Sequence, residues 1–168
     1  MKLEDIDKSR YRKHLNVVMF SMAVALIVVA QINSALFIYL FSTPEASHFY
    51  HIMAAVAVAA IMVVFVVNKY RYHPYMYEVV YVWDLKQQLN KIQRKQLKLK
   101  AAVDSNDKNA MIIMNFMYRG SKQLYELDDN TITIDDLELL ITALEQRMKN
   151  MELSLSTDLY EPGMLDQY

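Results

Sequence analysis

Two long apolar runs organise the chain. VVMFSMAVALIVVAQINSALFIYLF, residues 17–41, and FYHIMAAVAVAAIMVVFVV, residues 49–67, contain no Asp, Glu, Lys or Arg. As helices they rise about 37 Å and about 28 Å, against a hydrocarbon core of roughly 30 Å. The first crosses with tilt and the second with little. STPEASH, residues 42–48, joins them, too short a link for anything but antiparallel neighbours. Past residue 73 the pattern becomes amphipathic. Pro74 opens a helix to about Ala102, with Val82, Leu85, Leu89, Ile92, Gln96 and Leu99 as a short heptad stripe. The Asp104–Asn109 break offers helix caps before a second helix, about Asp107 to Leu127, with Ala110, Ile113, Met114, Met117 and Leu124 on its apolar face. Thr133 and Asp136 resemble a variant capping box. They open a third helix, about Ile134 to Leu155, striped by Leu137, Leu140, Leu144, Met148, Met151 and Leu155.

The expected fold class is therefore an all-α membrane protein: a two-helix transmembrane hairpin followed by a cytoplasmic bundle or coiled coil of about three helices. Its parts are an N-terminal cytoplasmic segment (1–16), the hairpin (17–73), a helical domain (74–155) and a flexible acidic tail (156–168). A cleaved signal peptide fits poorly. The first run exceeds a signal h-region, and no small-x-small cleavage site follows it.

Charge sharpens this picture. Net charge is −1 over 168 residues, but residues 17–67 carry a single ionised group, Glu45. A charge at the bilayer centre costs about 2.5–3.5 kcal/mol even on lenient scales, so such segregation suits a membrane. Lys2, Lys8, Arg10, Arg12 and Lys13 precede the first run, Lys69 and Arg71 follow the second, and the short loop has no Lys or Arg. The positive-inside rule puts both ends in the cytoplasm. Residues 69–100 hold eight Lys or Arg against two acids, and residues 101–168 hold five against thirteen. The basic first helix is expected to meet acidic helices two and three, within one chain or between chains.

Candidate chemistry is sparse. There is no cysteine, which excludes disulfides and thiolate chemistry. Glu45, His48 and His51 stand at i, i+3 and i+6, a weak metal constellation better read as interface residues. No motif implies a cofactor, a small-molecule substrate or a catalytic residue. Gln31, Asn33 and Ser34 are polar positions inside the first run, suited to interhelical hydrogen bonds within the hairpin or a homo-oligomer. Small residues recur four apart at Ala30 and Ser34, and at Ala55 and Ala59. Tyr70, Tyr72, Tyr75, Tyr77 and Trp83 form an aromatic anchor at headgroup level. Lys86, Lys91, Arg94, Lys95 and Lys98 offer a basic surface for anionic lipid or an acidic partner. Nucleic acid is not expected, since no reading motif accompanies the charge.

The opening MKLEDIDKSRYRKHLNVVMFSMAVALIVVAQINSALFIYLFS, with KYRYHPYMYEVVYVWDLKQQLN, resembles a family of small two-span proteobacterial inner-membrane proteins of unknown function. The resemblance implies a bacterial inner-membrane location and no substrate, cofactor or active residue. The expected function is that of a non-enzymatic, membrane-anchored interaction or assembly module, working through its cytoplasmic helices on a homo-oligomer or protein partner. The alternative is a subunit of an oligomeric ion pore or transport-accessory protein, with Glu45 as an outer ring and Asn33 facing inward.

Overall fold

The computed structural model describes residues 2–41, 47–130 and 134–168. Helix is the dominant structure of these residues, and no strand lies among them. Six α-helices follow in order: α1 (Lys8–Phe41), α2 (Phe49–Lys69), α3 (Tyr77–Arg94), α4 (Gln96–Asp104), α5 (Lys108–Leu127) and α6 (Ile134–Asn150). Short 3₁₀ turns cover Pro74–Met76, Thr157–Leu159 and Pro162–Gln167. Two compact units result, residues 12–79 and a second one joining residues up to Tyr11 with 80–168.

In the first unit, α1 and α2 are each long and apolar enough to cross a membrane. Each shields one narrow face. On α1 it runs through Leu15, Val18, Met22, Leu26, Val29, Asn33 and Phe37. That spacing is eleven residues per three turns, close to the natural pitch of a straight helix. On α2 it runs through His51, Ala55, Ala59, Val63 and Val67, every fourth residue, with both alanines fully enclosed. The remaining faces are open: Phe20 is 71 % exposed and Phe65 69 %. The chain folds back after α2. His14 of α1 lies with its Nδ1 3.0 Å from the Glu78 Oε2 of α3, and its ring stacks on Tyr75 at 3.9 Å between centroids. His73 caps the 3₁₀ turn before α3, its Nδ1 accepting from the Tyr75 amide, and Pro74 occupies the first turn as the sequence predicts.

The second unit has a core of its own. Val82, Leu85, Leu89, Ile92 and Leu99 are buried, so the stripe predicted for one helix is real. That helix is broken, however: Lys95 stands outside helical geometry (φ −104°, ψ 5°), separating α3 from α4. α5 lies centrally, packing on both α4 and α6. Met111, Ile113, Met114 and Phe116 are enclosed on it. Asp107 caps α5, its Oδ1 accepting from the Asn109 amide at 2.8 Å and the Ala110 amide at 3.2 Å. Gly120 sits where α3 crosses closely: a Cβ there would stand 3.2 Å from Leu89 and 3.3 Å from Leu85. The helix predicted to reach Leu155 stops at Asn150. Glu152 adopts φ 56° and ends it in a Schellman turn, with the Leu153 amide donating to the Met148 carbonyl and the Glu152 amide to that of Lys149. Thr133, assigned above to a capping box, lies outside the described residues.

The sequence reads the tail as flexible, and the structure packs it. The tail lies against α5: Tyr160 is 2 % exposed and its ring stacks on Phe116 at 4.2 Å, while Leu165 is also buried. These two apolar anchors outweigh the acidic composition that suggested flexibility. The segment before α1 joins the same unit. The Glu4 amide donates to the Tyr81 hydroxyl at 2.8 Å, and the Gln123 carboxamide donates to the Glu4 carbonyl. Tyr11 is enclosed, its hydroxyl 3.4 Å from an Asp128 oxygen. Asp7 caps α1, and the Arg10 amide, then the Ser9 hydroxyl, hold its carboxyl below the usual carboxylate range.

Candidate interaction surface

The cationic side chains of α3 and α4 divide into engaged and open ones. Lys86 pairs with Asp128 at 2.9 Å. Lys95 donates to the Leu165 carbonyl at 2.6 Å, and Lys98 to the Tyr168 carbonyl at 2.5 Å. The last two therefore hold the tail, Lys98 from an exposed position. The acidic side of the charge split is also met within the chain. Arg119 pairs with Glu145 at 2.5 Å, Lys122 with Glu138 at 2.7 Å, and Arg147 with Asp104 at 2.9 Å. Lys8 joins Asp129, and Lys2 meets Asp158 at 3.1 Å. Lys91 and Arg94 of the predicted basic set remain exposed, with no ion pair among the described residues.

Around those two cations lies an open stripe. Trp83, Gln87, Asn90, Arg94 and Leu97 recur at alternating four- and three-residue steps, opposite the buried stripe of the same helices. Trp83 is 60 % exposed and Leu97 86 %. Gln87, Asn90 and Arg94 separate the two apolar side chains, which stand about 21 Å apart along the helices, so the stripe is a mixed polar and apolar surface. Farther along α4, Lys100, Val103, Met114, Tyr118, Leu140, Leu144 and Arg147 line an open groove of about 320 Å³ between α4, α5 and α6. Burial pushes the Tyr118 phenol above its ordinary value. The sequence gives no sign of this groove, since Leu140 reads as core there and is partly open in the structure.

The other predicted residues fall apart into separate groups. Tyr70, Tyr72 and Tyr77 are exposed, but Tyr75 is half-buried on His14. His48 and His51 stand 6.4 Å apart, edge to face. Glu45 lies outside the described residues, and no cluster of three metal-ligating side chains exists among those described. On α1, Asn33 and Ser34 fall on the shielded face and Gln31 on the open one. The Asn33 Nδ2 and His51 Nδ1 are enclosed without a hydrogen-bond partner among the described residues. The buried His14–Glu78 pair and the Gln88–Tyr160 hydrogen bond escaped sequence reasoning, because no local spacing announces a contact across dozens of residues.

These features define an all-helical protein with two long, openly apolar helices and a separately folded, internally ion-paired helical unit. The chain belongs to the family described as "Protein of unknown function (DUF3087)", whose model matches residues 1–165. No curated protein and no solved structure matches it.

Proposed function

We propose that this is a non-enzymatic, membrane-anchored docking module. α1 and α2 cross a bilayer as an antiparallel hairpin. The second unit forms a small helical bundle that binds a partner through the open α3–α4 stripe. The observation that carries the reading is the exposure of α1 and α2 on every face but one, over lengths that match a hydrocarbon core. In water that surface far exceeds the few hundred Å² a soluble monomer tolerates. Residues 2–11 and 80–168 share one folded unit, so their common side of the membrane supports two crossings between them. The Lys and Arg residues flanking both apolar runs make that side the cytoplasm. The family resemblance drawn from the sequence favours a bacterial inner membrane.

The docking half rests on Trp83, Leu97, Lys91 and Arg94. An exposed aromatic and an exposed leucine, separated by cations, suit an acidic helical surface: the apolar pair supplies area and the cations supply register. A photo-crosslinking residue at Leu97 of the full chain, in native membranes, is expected to give a discrete protein adduct. Lys91→Glu with Arg94→Glu should abolish that adduct. The same probe at exposed Gln146 on α6 should not give it. An adduct that ignores charge reversal, or none at Leu97, overturns the docking assignment.

A further inference from the structure

We infer that the hairpin pairs with a second copy of itself through the Gln31 face of α1. This rests on the membrane reading above and adds a partner and a contact residue to it. Gln31 stands two positions before Asn33, which is 200° around the helix at 100° per residue. Asn33 lies on the shielded stripe, so Gln31 points almost directly away from the rest of its own hairpin, and it is exposed. It has no hydrogen-bond partner among the described residues. Its neighbours on that face, Phe20, Val24, Ile27 and Ala35, are exposed and apolar.

Gln31 also lies deep. It stands two residues past the middle of the apolar run 17–41, and ten residues short of Phe41. Ten residues are about 15 Å of helix, beyond the reach even of the long Lys and Arg side chains that snorkel to the headgroups. A primary amide held there faces hydrocarbon with two donors and an acceptor unmet, which is costly. At that depth bulk water is excluded, and no described residue of its own chain bonds to it. An identical amide can. A carboxamide donates and accepts, so two copies related by a two-fold axis exchange N–H···O=C hydrogen bonds between their Gln31 side chains. A different membrane partner needs a polar group placed to match. A second copy brings one at the same depth by construction.

The chain has no cysteine, so single cysteines report this contact directly. Full-length protein is reconstituted in liposomes at graded protein-to-lipid ratios, with carbonate resistance measured separately. Cysteines at Val24, Ile27 or Ala35 should form intermolecular disulfides on mild oxidation, and cysteines at Met22 or Val29 on the opposite face should not. Gln31→Leu should move the half-crosslinked ratio about tenfold towards higher protein, at roughly threefold per interhelical hydrogen bond. Gln31→Asn should recover part of that shift. An unchanged midpoint in Gln31→Leu, equal crosslinking on both faces, or no self-association at any ratio overturns the pairing. Loss of carbonate resistance in the unmodified chain would instead overturn the membrane reading itself.

Discussion

Truncating Tyr160 to alanine tests whether the C-terminal segment is part of the folded unit. The ring is 2 % exposed, stacks at 24° on the enclosed Phe116, and its hydroxyl accepts from the buried Gln88 carboxamide. Burial of a side chain of this size contributes about 1.5–3 kcal/mol. The aromatic pair adds about 0.5–1.5 kcal/mol, and a Gln88 amide left unmet costs about 1–3 kcal/mol. Tyr160→Ala is thus expected to destabilise the unit by about 3–5 kcal/mol, the range seen for large aromatic truncations in cores. Tyr160→Phe keeps the stack and should cost only the unmet Gln88 amide, about 1–3 kcal/mol. The assay is urea unfolding of the full chain in mild detergent, followed by circular dichroism, with endoproteinase Asp-N cleavage before Asp158, read by mass spectrometry, as a second readout. Wild type and Tyr160→Phe should resist cleavage, and Tyr160→Ala should be cut readily. If both variants match wild type within about 0.5 kcal/mol, a surface-like effect, and the bond before Asp158 is cut equally in all three, the tail is not docked and the reasoning fails.

Three further outcomes follow from the same packing. Gly120→Leu drives a side chain into the Leu85 and Leu89 contact and should lower stability by about 1–3 kcal/mol in the same unfolding assay. Glu152→Gly relieves a left-handed non-glycine residue and should raise stability by up to about 1 kcal/mol. The Tyr168 phenol is pushed up to about 12 by burial and then by Asp107, whose Oδ2 accepts its hydroxyl at 2.9 Å. A raised folded-state value means its contribution is complete below pH 10 and is lost as pH climbs towards 12. Tyr168→Phe should therefore lessen the alkaline loss of stability in that window, which spectrophotometric titration at the phenolate band can check alongside unfolding.

What was legible in the sequence is what has a period. The buried stripes of α3, α4 and α5 show as three- and four-residue steps, Asp107 shows as a cap before an apolar helix, and the two apolar runs show by length. The contacts that decide the surface have no period. Lys95 and Lys98 read as part of a basic face because the carbonyls they hold lie 70 residues away. The tail reads as free because its acids outnumber its anchors, yet Tyr160 and Leu165 find places on a helix some forty residues earlier in the chain. The polar residues of α1 read as one group, and only their angular placement separates Asn33 from Gln31.

The docking of the first residues also constrains the order of assembly. Glu4 finds its partner Gln123 119 positions later, and Tyr11 finds Asp128 117 positions later. At about 5–20 residues per second of synthesis, that interval is roughly 6–24 s. On the proposed membrane reading, both apolar helices emerge and enter the bilayer in that interval, before the leading segment can reach Gln123 or Asp128. On that same reading, closure of the second unit joins the two flanks of the proposed hairpin and acts as a late clasp on topology: a nascent chain with its flanks on opposite sides of the membrane could not make the contact.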